Sequence, residues 1–245
     1  MIQHFQIAVQ QADGTPVPSF WAYRLYAALL ERVSDSFAAL LHEPGYSGLS
    51  QYLLYHREAK QTTWEVSLLD NDAIASAAPV LEALDVLHLH ERDVLLGEKK
   101  IGTPLRANDL WETAMRKPDA DRVSLLFPNT TSFKSNGKYV IFPEERLLIQ
   151  SLINRWNTAF PETEMRDEDA VRLLNQGIFI RDYRLKSSRY RLKQTAIPGF
   201  SGELIVEARL SAPMMELWKT LLEFAPYCGI GIKTTLGMGG VLVCP

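Results

Sequence analysis

The 245-residue chain predicts an α+β fold of two tandem ferredoxin-like (RRM-like) βαββαβ modules. Three observations predict it. In the first half, apolar residues recur at period two and then at helical period, in the order βαββαβ. The stretch Lys117-Pro118-Asp119-Ala120-Asp121 then reads as a linker. Beyond it the same order of elements begins again. The expected domains are therefore 1–117 and 121–245, together ample for a buried core.

The first module opens on a strand with Phe5, Ile7 and Val9 on one face. Asp13-Gly14 makes a turn, and Ser19 is placed as the N-cap of one helix reaching Leu41. Tyr23, Tyr26, Leu30, Val33 and Phe37 form its apolar stripe, and Pro44-Gly45 stops it. Strands are expected at 51–57 and 63–69, a helix at 72–84, and strands at 86–90 and 94–101. In the second module, a strand covers 122–127 and Pro143 opens a helix reaching Trp156. A hairpin is expected over 178–193 and a strand over 204–209. A helix from Ser211 to Pro226 carries Met214, Leu217, Trp218 and Leu221 inward, and a last strand covers 241–244.

Composition excludes several classes. No apolar run reaches the roughly 18 residues of a membrane span. Met1 to Gln10 alternates polar and apolar residues and lacks a signal-peptide pattern. A cytoplasmic protein with no membrane partner is the expectation. Cys228 and Cys244 fit small residues in a reducing compartment. No cysteine–histidine set has zinc spacing, and His88-x-His90 has no third ligand nearby in sequence, so neither metal nor cofactor is expected. The net charge of −3 argues against a generally basic nucleic-acid binder. Acids cluster at Glu162, Glu164, Asp167, Glu168 and Asp169, however, while cations concentrate from Arg181 to Lys193.

That basic segment alternates on both sides of Ser187-Ser188. With the two serines as a turn, Lys186 opposes Arg189 and Arg184 opposes Arg191, with Lys193 at the edge. Like charges opposed across strands are destabilising. A phosphate partner would neutralise them, and a structured RNA fits; a solvated basic face is the alternative. The second feature is Gly229-Ile-Gly231-Ile-Lys233-Thr234-Thr235-Leu-Gly237-Met-Gly239-Gly240. It is no Walker A loop, since Lys233 follows Ile232 and no helix follows. Exposed N–H groups beside Lys233 would suit a phosphate, and a turn-rich connection fits equally. Among five histidines, His4 and His56 lie in strands. His42 ends a helix, where it suits either the dipole or proton transfer near neutral pH.

The glycine segment, with Phe127-Pro-Asn-Thr-Thr-Ser-Phe133-Lys134, Gly137-Lys-Tyr-Val-Ile-Phe-Pro143 and Leu152-Ile-Asn-Arg-Trp156, resembles the repeat-processing endoribonucleases of CRISPR systems, in the RAMP superfamily. The likeness is close over residues 120–245 and looser before them. It implies the same tandem fold, metal-independent cleavage of precursor RNA within its repeats, and repeat RNA as partner. It leaves open other effector subunits, a homodimer, and a non-catalytic RNA-binding subunit. It implies His42 as the catalytic histidine and places Tyr26 where relatives carry a helix tyrosine, although burial in the apolar stripe explains Tyr26 as well. It implies RNA contacts from Lys134, from Arg184, Lys186, Arg189, Arg191 and Lys193, and from Gly229, Gly231, Lys233, Thr234, Gly237 and Gly239. Gly48 stands where relatives carry a lysine, and Lys60, Arg57 or Lys134 is left to supply that charge.

Overall fold

A computed structural model describes residues 1–41, 43, 45–89, 92–192 and 194–244. His42 and Lys193, two of the expected site residues, and His90 lie outside them. In the first module, β1 (Gln3–Gln11) is followed by helices α1 (Ala22–Leu30) and α2 (Asp35–Leu40). Strands β2 (Leu49–His56) and β3 (Gln61–Leu68), helix α3 (Asn71–Ala83), and strands β4 (Val86–Leu89) and β5 (Arg92–Ile101) complete it. Helix α4 (Ala107–Arg116) leads to the second module, with β6 (Arg122–Thr131), β7 (Phe133–Ser135) and β8 (Lys138–Val140). Helices α5 (Glu145–Ala159) and α6 (Glu168–Gly177), strands β9 (Ile178–Leu192) and β10 (Thr195–Ala208), helix α7 (Ala212–Cys228) and β11 (Leu242–Cys244) follow.

The sheet orders are β2-β3-β1-β5-β4 and β11-β6-β10-β9. The second is the ferredoxin-like order with its last strand beside its first; in the first, β5 takes that place and β4 extends the edge. Both modules are thus βαββαβ, as the sequence predicts. Alternation on β1 puts Phe5, Ile7 and Val9 into one core with Trp64, Val66 and Leu68. The second core gathers Phe127, Trp156, Trp218 and Phe224, and Leu110 of α4 belongs to it. The linker at 117–121 therefore follows a helix that packs on the second core. Among the described residues, no helix is long and apolar enough to cross a membrane.

Three expectations need correction. The helix expected from Ser19 to Leu41 is two helices. Arg32 donates to the Ala28 carbonyl at 2.7 Å, closing α1, and the Ser34 hydroxyl accepts from the Phe37 amide at 3.3 Å, opening α2. The hairpin with a Ser187-Ser188 turn does not form. Instead β9 is one continuous strand paired antiparallel with β10, Ser187 opposite Phe200 and Ser188 opposite Gly199. The chain reverses after Leu192, which pairs with Thr195. Finally, α4, α6 and the β7–β8 hairpin stand where no element was assigned.

Candidate functional site

The glycine segment leaves α7 and runs between the two modules. Gln51 of β2 donates from Nε2 to the Thr235 carbonyl at 3.0 Å, and Thr235 Oγ1 donates to the Leu49 carbonyl at 3.0 Å. On the other side, Asn129 of β6 donates to the Gly237 carbonyl at 3.2 Å and accepts from the Gly240 amide at 3.0 Å. The Tyr190 hydroxyl of β9 donates to the Leu236 carbonyl. The loop therefore stitches the first sheet to the second.

This changes what the loop can offer an anion. The amide of Ile230 donates to Gly239, Ile232 to Ser132 and Gly239 to Thr130, at 2.8, 2.9 and 3.1 Å. Gly231 donates to the Ser151 hydroxyl at 2.8 Å. The expected row of exposed N–H groups is thus largely consumed inside the protein, because buried amides need partners. Thr234 is fully buried, and Gly229, Gly237 and Gly239 are buried too. At Gly239, φ is +71° and a Cβ would run into the Ile230 carbonyl, so glycine is needed there for packing. Lys233, itself at φ +56°, stays exposed, and Gly231 reaches the surface in part.

Around Lys233 the modules leave a cavity of about 750 Å³. Tyr26 of α1, Leu41 beyond α2, Leu192 and Thr195 at the β9–β10 turn, and Lys233 line it. Tyr26 also belongs to the first core, so the burial weighed for it holds while its side chain borders the cavity. Burial pushes its phenol up to about 12, with Tyr23 adding to the effect. At neutral pH it is a hydrogen-bond donor and not a base. A second cavity, of about 450 Å³, lies on the α5 side of Lys233 and includes Gly45, Lys134 and Arg155. Leu41 and Gly45, on either side of His42, thus line the two cavities that share Lys233.

Gly48 also has a local cause. A Cβ there would run into the Tyr46 hydroxyl and lie 2.6 Å from the Asp70 carboxylate. Asp70 caps α3 through the Ala73 amide at 2.7 Å, so a side chain at position 48 would have to displace the Tyr46 ring and crowd that carboxylate.

The basic strand differs from its expected form. Successive residues of a strand point to opposite faces, so Arg184 and Lys186 share one face with Tyr190 and Leu192, and Arg189 and Arg191 occupy the other. The cations do not oppose one another across strands. Their partners on β10 are Glu203 for Arg184, Ser201 for Lys186, Pro198 for Arg189 and Ala196 for Arg191. All four are exposed. Arg181, at the strand's root, instead pairs with Glu207 at 3.0 Å. Arg155 is the residue that sequence reasoning passed over; it sits one helical turn after Ser151, inside the quoted motif Leu152 to Trp156.

Known proteins resemble this chain over most of its length. A family model described as CRISPR-associated endoribonuclease Cas6 matches residues 125–241. The CRISPR-associated endoribonuclease Cas6 of Streptococcus thermophilus is 30% identical over 220 residues, 90% of each chain. Among solved structures, Thermus thermophilus Cas6 matches with a TM-score of 0.74 at 24% identity, covering 99% of this chain and 98% of that one. A Cas6 product complex matches with a TM-score of 0.79 at 21% identity, covering 100% of both chains. The structural matches establish the shared fold.

Proposed function

Because this chain belongs to the Cas6 family of CRISPR-associated endoribonucleases, we propose that it cuts CRISPR precursor RNA within each repeat. A ribose 2′-hydroxyl attacks the adjacent phosphorus, the P–O5′ bond breaks, and the products carry a 2′,3′-cyclic phosphate and a 5′-hydroxyl. The observation that supports this reading best is the cavity where Tyr26, Leu41 and Lys233 converge.

The reaction needs a proton acceptor, a proton donor and a cation for the phosphorane. His42, next in the chain to Leu41, serves as acid or base, since imidazole titrates near neutral pH. Tyr26, protonated at that pH, donates a hydrogen bond to a phosphate oxygen or to the leaving group. Lys233 supplies the charge at the cavity wall, with Lys134 across the loop. The cations of β9, Lys193 beyond its end, and the exposed edge of the glycine loop hold the rest of the RNA backbone, while the buried glycines keep the two modules in register.

His42→Ala decides the assignment. Cleavage of a defined repeat RNA is expected to fall by about 10²- to 10⁴-fold with affinity nearly unchanged. Wild-type cleavage should persist in EDTA, and a 2′-deoxy substitution at the cut site should abolish it. Full cleavage by His42→Ala would remove His42 from the mechanism. Tight binding of repeat RNA by a wild type that never cuts would instead make this a binding subunit.

A further inference from the structure

The second cavity holds a cation without a counter-charge. The Arg155 Nη1 is buried with no hydrogen-bond partner, and no carboxylate among the described residues forms an ion pair with it. Burial lowers the pKa of its guanidinium. The ionisable group facing it is Cys228, whose thiol burial pushes up to about 12, so that at neutral pH it carries no charge. Arg155 as a whole is partly buried, but a guanidinium nitrogen shut away without a partner is costly, and an anion or a water from outside the chain would satisfy it. Two more cations, Lys134 and Lys233, line the same cavity, and no acidic residue among the described residues does. Ser151 holds the Gly231 amide at 2.8 Å, which fixes the loop against α5 at the cavity wall.

We propose that this cavity binds one backbone phosphate of the RNA, with the Arg155 guanidinium as its buried partner and Lys134 and Lys233 at its rim. An arginine fork matches a phosphate with two parallel hydrogen bonds, which neither lysine offers. The contact lies on the α5 side of the glycine loop, away from the Tyr26 cavity. The RNA would therefore be gripped on both sides of Lys233. The proposal rests on the reading of this protein as an enzyme that binds and cuts RNA.

The test uses Arg155→Met and Arg155→Lys with two probes, an uncleavable 2′-deoxy repeat RNA and inorganic phosphate. Arg155→Met should weaken RNA binding by about 10- to 150-fold, the equivalent of one charge-assisted hydrogen-bonded contact. It should lower the log–log salt slope by just under about 1. Its thermal midpoint should match or exceed that of the wild type, since a buried donor without a partner is gone. Phosphate, against chloride at equal ionic strength, should raise the wild-type midpoint and leave Arg155→Met unmoved. Unchanged RNA affinity and slope in a folded Arg155→Met, or an equal phosphate response, overturns the site. If Arg155→Met does not fold, an absent wild-type phosphate response, or one unchanged in Arg155→Lys, overturns it. A wild type that binds no repeat RNA overturns the RNA contact together with the endonuclease reading, whereas one that binds it through Arg155 and never cuts sinks the endonuclease reading alone.

Discussion

Residues 229–240 and strand β9 lie side by side and work in opposite ways. The loop is buried over half its length, its amides and carbonyls tied to β2, β6 and β9. Strand β9 is exposed through most of its length, with four cations in water. One region is held by sterics and hydrogen bonds, where the loss of a few tenths of an ångström is felt. The other presents charge, and in the proposed reading its contribution depends on the sign of the side chain. If both serve RNA binding as proposed, the difference separates two kinds of contribution: keeping two modules in register, and attracting a polyanion.

The loop should break first and hardest. Gly239→Val forces a side chain at φ +71° against the Ile230 carbonyl. Strain in that region alone costs about 1–3 kcal/mol, and overpacking adds to it. Chemical denaturation should show a loss of at least about 2 kcal/mol, with RNA binding lost alongside. A valine variant of wild-type stability would mean that the loop is a loose connection and the comparison fails.

Strand β9 should behave in the reverse manner. Replacing Arg184 and Lys186 with glutamine, or Arg189 and Arg191, should leave stability within about 0.5 kcal/mol. The two pairs should differ in RNA binding, because they lie on opposite faces. Leu192, on the face of Arg184 and Lys186, lines the cavity of Tyr26 and Lys233. Removing Arg184 and Lys186 should therefore lower the log–log salt slope by roughly 1.5–2, and removing the other pair by less. Equal effects would mean that the RNA wraps the strand edge and reads both faces alike.

Much of this architecture is legible in the residues, and the failures have local causes. Alternation at Phe5, Ile7 and Val9 gave β1, because only one face of that strand meets the core. The break at 31–34 was hidden because Leu30, Val33 and Phe37 keep helical spacing across it; the capping signal of Ser34-Asp35 was the clue. Strand β10 was seen only in part, since Pro198, Gly199 and Gly202 read as loop. In the structure they lie opposite Arg189, Ser188 and Leu185, and the register of β10 with β6 shifts at Gly202. Without a partner strand in the pattern, the alternation on both sides of Ser187-Ser188 reads as a hairpin with the serines as its turn. Of the site, Tyr26 and Lys233 were named from motif and placed by the fold in one cavity. Arg155 was not, because its distinction is the absence of a partner, which no one-dimensional pattern records.

The smallest expected effect concerns the root of the basic strand. Arg181 belongs to β9 by position, but its guanidinium is held by Glu207, which Arg209 and Arg122 also contact, at 3.0, 2.6 and 3.0 Å. Hydrogen bonds from Arg181, then Arg209, hold the Glu207 carboxyl at about 2, below its ordinary 4.5. A depressed carboxylate stabilises the fold at pH above its unfolded value. That contribution is lost as pH falls from about 4.5 through about 2. Glu207→Gln should therefore lower the thermal midpoint modestly at pH 7, because the arginines are largely solvated, and the difference from wild type should close over that acid window. Its RNA salt slope should match that of the wild type. A changed slope would place Arg181 among the RNA-binding cations and extend the charged region of β9 down to its root.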